Sequence, residues 1–290
     1  MSVLTRLPAL AVATGLGLLT ACGTASVSQP GGPTSPSAAR SAPAATPSAT
    51  ASRGPSPVTT PVCPEGGSHL TAIRVGEHQG YDRVVFQFSG TLPAYSVTRV
   101  NSVTEDARGG QLPLAGQTYL RVVFRGATSV CQQPLRASSS VPSVLTPFYP
   151  QLLVVAKAGD FERVLSFGIG LAGRGGYHVA TLSGPYRIVL DVDHVPLGRF
   201  PGIWDITSWT QYWGRQYSMN NGHQPWLRNP AMVVEAWARG EWHTTPVIHQ
   251  VNANTFQVTE PGGRVDTVTG IRPVSVPGPW VITRIDYGSE

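Results

Sequence analysis

Few residue types in this chain are spaced for catalysis, and their spacing decides what each could do. Gly168-Ile169-Gly170-Leu171-Ala172-Gly173 spells the glycine fingerprint of a dinucleotide-binding turn, and Asp191 follows 23 residues after Gly168. In that chemistry the third glycine must open a helix whose N-terminus holds the pyrophosphate. Here Arg174-Gly175-Gly176 leads into the strand-like Tyr177-His178-Val179-Ala180, and Gly184-Pro185 leaves no room for a helix. Nucleotide binding is therefore set aside. Asp191 and Asp193 share a strand face beside His194, an arrangement that suggests calcium. Calcium takes roughly six to eight oxygens, so a solvated strand end is the better reading and no metal is expected. His223, His243 and His249 lie near Asp205, Glu235 and Glu241, but no GxSxG elbow or HExxH pair organises them. No catalytic residue and no cofactor are assigned.

The elements that would carry any site are read from composition first. The chain has 290 residues, 32 of them Gly and 26 Pro, and only 13% are charged. That charged fraction is about half the roughly 25% usual for a soluble domain, and it excludes a long coiled coil or helical bundle. Short strands, turns and some unstructured chain are favoured instead. The formal net charge is +5, and Lys157 is the only lysine among 21 basic residues. These residues are scattered, without the basic stripe that a nucleic acid needs.

The chain opens with an export signal over residues 1–21, where Arg6 precedes an apolar or small run from Leu7 to Thr20. It ends in Leu19-Thr20-Ala21-Cys22, which resembles the bacterial lipobox. The resemblance implies cleavage before Cys22 and a diacylated cysteine at the mature N-terminus. Two or more acyl chains anchor a protein stably where one does not. The expected partner is thus a membrane, and the expected location its extracytoplasmic face. Residues 22–62 read as a disordered tether: from Gly23 to Val62, 34 of 40 residues are Gly, Ala, Ser, Thr or Pro. Such a segment lacks the apolar bulk to offset its ordering entropy, and stretched it spans about 120 Å. The remaining cysteines, Cys63 and Cys131, are an even number in an oxidising compartment. A disulfide between them would close a loop of about 69 residues and stabilise by roughly 4 kcal/mol. The alternative is two unpaired thiols.

From residue 63 to 196 the hydrophobic pattern has period two. Val84, Phe86 and Phe88 fall on one face of Tyr81–Phe88, with Arg83 and Gln87 on the other. Tyr119–Phe124 repeats the theme with Leu120, Val122 and Phe124 inward, and Phe161-Glu162-Arg163-Val164 is a degenerate echo. Arg187–Val192 closes the series, while Ser68–Glu77, Ala94–Val100, Leu152–Ala156 and Gly176–Leu182 also read as strands. About eight strands separated by Gly or Pro predict an antiparallel sandwich or barrel.

Gly80-Tyr81-Asp82-Arg83-Val84-Val85-Phe86, Gly90-x-x-Pro93-x-Tyr95-x-Val97 and Gly116-x-x-Tyr119-Leu120-Arg121-Val122-Val123-Phe124 resemble the AMIN-like domain of bacterial envelope lipoproteins. Phe161-Glu162-x-Val164, Gly168-Ile169-Gly170-Leu171 and Pro185-x-Arg187-Ile188-Val189-Leu190-Asp191-Val192 continue the likeness, which covers about residues 68–195. It implies a β-sandwich that localises wall-associated proteins by binding peptidoglycan. It supplies no reaction, and Cys131 is not part of its pattern.

Residues 200–290 form a second region that holds all seven tryptophans. Ser208-Trp209-Thr210-Gln211 has capping-box spacing for a helix to about Met219, and Asn229-Pro230 starts another that stops at Gly240. Strands over Thr245–Val251, Phe256–Glu260, Val265–Thr269 and Trp280–Tyr287 complete a small α+β module. The expected class is therefore mainly β: signal, disordered linker, antiparallel sandwich, α+β module.

Anchor, tether and sandwich together point to a non-catalytic protein that binds peptidoglycan or wall glycan. The alternatives are an envelope scaffold or sensor that contacts another protein, and an accessory to a wall hydrolase. Arg83, Arg121 and Arg187 are the polar candidates if one sheet gathers them, with Trp209, Tyr212 and Trp213 as candidate stacking groups; the alternative is an ordinary solvated sheet face and tryptophans that serve as the core of a small domain. Intact-mass analysis of membrane-extracted protein is expected to show lipid on Cys22, and Cys22→Ala to release the chain or block its processing. An unmodified N-terminus elsewhere in the secreted chain would contradict the lipobox reading.

Overall fold

The computed structural model describes residues 66–132, 137–139 and 141–289. The signal segment, the tether, Cys22 and Cys63 lie outside them, as does the side chain of Cys131. Strands come first: β1 (Ser68–His78), β2 (Tyr81–Ser89), β3 (Ala94–Val100), β4 (Thr118–Arg125), β5 (Ala127–Thr128) and β6 (Val130–Gln132). Then follow β7 (Ala137–Ser139), β8 (Val144–Leu145), β9 (Leu152–Phe161), β10 (Val164–Leu171), β11 (Tyr177–Leu182) and β12 (Tyr186–Asp193). Helix α1 (Trp209–Asn220), a 3-10 turn (Pro225–Arg228) and helix α2 (Pro230–Trp242) precede β13 (Val247–Asn252), β14 (Thr255–Thr259), β15 (Val265–Ile271) and β16 (Val281–Asp286).

Two five-stranded sheets face each other, in the orders β11-β12-β2-β1-β5 and β3-β4-β10-β9-β8. Pairing is antiparallel except for the short parallel contact of β1 with β5. The alternation read from the sequence sets the register. Val84, Phe86 and Phe88 from β2 meet Leu120, Val122 and Phe124 from β4 in one buried core. Phe124 lies edge-on to Phe86 and Phe88, with ring centres 5.0 and 5.1 Å away. Such pairs add about 0.5–1.5 kcal/mol beyond the area that they bury.

One motif reads differently in three dimensions. Phe161-Glu162-Arg163-Val164 is not an inward strand but the hairpin joining β9 to β10, and Phe161 is 72% exposed. Glu162 and Arg163 take φ of 48° and 60°. Two successive left-handed residues match the right-handed twist of the flanking strands, so a two-residue turn fits there.

β9 is apolar on both faces. Leu152 and Val155 enter the core between the sheets, while Leu153, Val154, Ala156 and Ala158 lie in a second core outside it. Beside them on β10, Gly168 and Gly170 keep the outer surface low. A Cβ on Gly168 would meet Leu112 and Leu114, and one on Gly170 would strike the carbonyl of Ala115. The glycine run is therefore a flat seat for the covering segment 101–117, in the middle of a strand. Tyr212 and Trp213 of α1 complete the cover.

The remaining part has its own core, in which Val233, Val234 and Trp237 of α2 pack on Phe256, Val258, Val268, Trp280 and Ile282. The four strands order as β13-β14-β15-β16. Both helix starts are capped as their spacing suggests: Ser208 Oγ accepts from the Gln211 amide, and Asn229 Oδ1 from that of Ala231. The second helix does not stop at Gly240. It continues to Trp242, which packs edge-on against Trp237, and ends where His243 takes a φ of 54°. A helical glycine costs about 1 kcal/mol relative to alanine, within the range of about 0.5–1.5 kcal/mol that an aromatic pair returns beyond its buried area.

Asp82 joins the two sheets of the sandwich. It is fully buried on β2, its Oδ2 accepts the amides of Gln151 and Leu152 at 2.8 Å each, and its Oδ1 meets His194 Nε2 at 2.8 Å. Asp82→Ala would orphan those donors and is expected to cost about 3–5 kcal/mol of unfolding free energy. Trp213→Ala opens a cavity under α1 and should cost about the same. Chemical denaturation followed by circular dichroism measures both. An unshifted midpoint for Trp213→Ala would show that α1 does not hold the outer face of β9.

Candidate functional site

The outer face of the first sheet carries the arginines predicted from strand parity, but only two of the three. Arg83 grips Asp191 with a fork, Nε to Oδ1 at 2.6 Å and Nη2 to Oδ2 at 2.8 Å, which pushes its guanidinium further above its ordinary value. It also lies over the Tyr81 ring, which stacks on His78 at 4.7 Å. Arg187 sits farther along β12 and donates to the Pro185 carbonyl at 3.4 Å. Arg121 belongs to the opposite sheet, where Asp106 of the covering segment binds it at 2.5 Å. The expected cluster of Arg83, Arg121 and Arg187 does not form, because β2 and β4 fall in different sheets.

Of the two readings of the aromatic candidates, the core one holds for Tyr212 and Trp213. Tyr212 and Trp213 are 0% and 2% exposed, because the apolar outer face of β9 needs them as its lid. Burial also pushes the Tyr212 hydroxyl far above its ordinary value. Trp209 is half-buried, donates from Nε1 to the Gly198 carbonyl at 2.9 Å and stacks on Trp213. Its free side borders a cleft of about 240 Å³ with Glu77, Phe148, Tyr149, Pro150 and Thr210.

A larger concavity lies where the sandwich meets the loop between β15 and β16. Arg99 and Val100 at the end of β3, Thr118 and Tyr119 at the start of β4, Arg174, Leu197 and the Ser275–Pro277 stretch enclose about 750 Å³. A second lobe of about 390 Å³ continues from it, sharing Gln111, Tyr119, Val276 and Pro277 and ending at Asn220 and Arg228. Among the described residues no aspartate or glutamate lines either lobe. Arg99 is half-buried: Nη1 donates to Thr118 Oγ1 at 3.0 Å, Nη2 to the Gly175 carbonyl at 2.6 Å, and the guanidinium lies over the Tyr177 ring. Tyr119 donates to the Gly116 carbonyl, and burial raises its hydroxyl above the usual tyrosine value. α1 fixes this seam through Gln216, which accepts the Gly116 amide at 2.8 Å and donates to the Pro277 carbonyl at 3.0 Å. Chemically the groove presents cations, side-chain amides and one phenol over an apolar floor, which suits an anionic ligand.

Asp193 faces His178 at 3.7 Å, Asp205 pairs with Arg215 and Glu235 with Arg239. Burial holds the His69 imidazole below its ordinary value against the opposing charge of Asp160. Among the described residues no group of three His, Cys, Asp or Glu could hold a metal ion.

The sequence reading missed Arg99, Arg174 and Arg228. Arg99 carried a signal, since it shares strand parity with Val97 and lies opposite Leu120, both on the inward side. Arg174 and Arg228 lie outside the strands and have no periodic signature.

No curated protein and no solved structure matches this chain. Residues 68–194, the whole of the sandwich, match the family model described as the AMIN-like domain, so the chain contains an AMIN-like domain.

Proposed function

We propose that this is a non-catalytic envelope lipoprotein, anchored through Cys22 on the extracytoplasmic face of the membrane, that binds peptidoglycan or its attached glycan. The observation that carries the reading is the AMIN-like sandwich, since that family is associated with peptidoglycan. Two features support it. The composition of residues 22–62 is that of a tether, and about 40 such residues would be long enough to place the sandwich within the wall. The groove beside the sandwich is lined by arginines and amides without a carboxylate, suited to holding an acidic polymer and lacking a general acid–base pair. AMIN-like domains are generally binding domains, and the reading extends that to the whole chain.

Full-length protein in detergent is expected to co-sediment with purified sacculi and to release no soluble muropeptides. Protein that stays in the supernatant at low salt, with its fold verified, would favour an envelope scaffold that contacts another protein. Release of soluble fragments would point to a hydrolase.

A further inference from the structure

The two-lobed groove is cationic at both ends and amide-lined between them. Arg99 and Arg174 line the larger lobe, and Arg228 the smaller. None of the three has a carboxylate within ion-pair distance among the described residues. Arg99 is held in place by two neutral acceptors, so its position is fixed while its charge stays uncompensated. Arg228 is steadied in the same way by Asn220 Oδ1 at 2.8 Å. A guanidinium carries five N–H donors, so each of these keeps donors for a carboxylate beyond the contacts that hold it. Gln111 lines both lobes and Gln117 the larger one. A side-chain amide donates and accepts at once, as peptide groups do.

A neutral glycan would want the opposite equipment: flat aromatic platforms, and carboxylates to accept from hydroxyls. Among the described residues the groove has one half-buried tyrosine, Tyr119, and no carboxylate. Each lobe falls within the roughly 300–1,000 Å³ of small-ligand sites, enough for a few residues of peptide and not for a long chain.

We infer that this groove binds the peptide stem of peptidoglycan through its free carboxylates, one seated at Arg99 and Arg174 and another at Arg228. The inference rests on the wall-binding reading and specifies its chemistry: the protein reads the acidic peptide rather than the sugar backbone. The sandwich that forms one wall of the groove matches a wall-associated domain, which favours a stem peptide over an acidic segment of another protein.

Isothermal titration of full-length protein in detergent tests it with four probes: a synthetic stem tetrapeptide with free carboxylates, the same peptide fully amidated, an all-L acidic tetrapeptide of equal charge, and chitotetraose. The free-acid stem peptide is expected to bind saturably and at least about tenfold more tightly than its amide. Arg174→Gln and Arg228→Gln should each weaken it by about fivefold or more. Arg284→Gln removes the same charge from an exposed pair with Asp286 and should leave affinity unchanged. Arg174 has no hydrogen-bond role among the described contacts, so its variant keeps the test valid even if an Arg99 variant misfolds. Equal affinity for the acid and amide forms would overturn the inference, as would tight binding of chitotetraose alone. Equal affinity for the all-L peptide would move the site to a protein partner. If the stem peptide fails while sacculi still retain the protein, only the groove assignment falls. If sacculus binding is lost too, the wall-binding reading falls with it.

Discussion

The fold depends on a surface that cannot face water. Leu153, Val154, Ala156 and Ala158 leave β9 apolar on the side away from the sandwich core, flanked by the bare glycines of β10. Exposed, that patch would be an aggregation hazard, because soluble monomers rarely show so continuous an apolar face. The 101–117 segment supplies Val103, Leu112, Leu114 and Ala115 over part of it, and α1 supplies Tyr212 and Trp213 over the rest. Two aromatics make an efficient lid, since each buries a large area with few rotatable bonds. The cost falls on polar atoms: the Tyr212 hydroxyl and the Trp213 indole N–H find no hydrogen-bond partner among the described residues. At such a site apolar burial outweighs one or two unmade hydrogen bonds of about 1–3 kcal/mol each.

Once α1 is committed to β9, its neighbours are placed. Gln216 on the same helix reaches both Gly116 and Pro277, and so sets the distance between the covering segment and the β15–β16 loop. Asn220 holds the Leu114 carbonyl, and Met219 at the helix end enters the core of the C-terminal sheet. The groove is the space that remains at the seam, where two irregular segments meet over the end of a sheet. Loops on a rigid scaffold are where binding residues concentrate, because the scaffold fixes the loops without filling the space between them.

The sandwich was legible because strand burial has a period of two and this part keeps it. Val84, Phe86, Phe88 and Leu120, Val122, Phe124 lie where parity put them. The Leu152–Ala156 run carried more than was read from it: five apolar residues in a row signal a strand covered on both faces. That would have decided between the two readings of Tyr212 and Trp213, core and stacking surface, in favour of a lid. Parity also put Arg83, Arg121 and Arg187 outward, but it does not tell which sheet a strand joins. The hairpin at Glu162 and Arg163 was missed because neither residue is a usual left-handed turn former, and only the pairing of β9 with β10 forces that geometry. The groove lay beyond reach for a different reason. Its residues come from β3, β4, the 173–174 turn, the 195–197 stretch and the 275–277 loop, and no local pattern links them.

Arg99 is where local rules and the structure disagree most. Arg83, Arg121, Arg215 and Arg264 are half-buried too, and each has a carboxylate within ion-pair distance; Arg187, half-buried without one among the described residues, stands on an outer sheet face where parity expects a polar side chain. Arg99 stands at the inward end of β3, where the parity of Val97 calls for an apolar side chain, and among the described residues its partners are a hydroxyl, a carbonyl and the face of the Tyr177 ring. Partial desolvation of an unpaired guanidinium is unfavourable, and a leucine at that position would complete the sandwich edge at no electrostatic cost. A residue that breaks parity and forgoes a charge partner, yet is held in a single orientation, is poorly accounted for by stability alone. Departures from the local rules concentrate where a protein meets a ligand. The same arginine opens the larger lobe of a groove that no acid lines, so the missing carboxylate belongs to what the groove is built to receive.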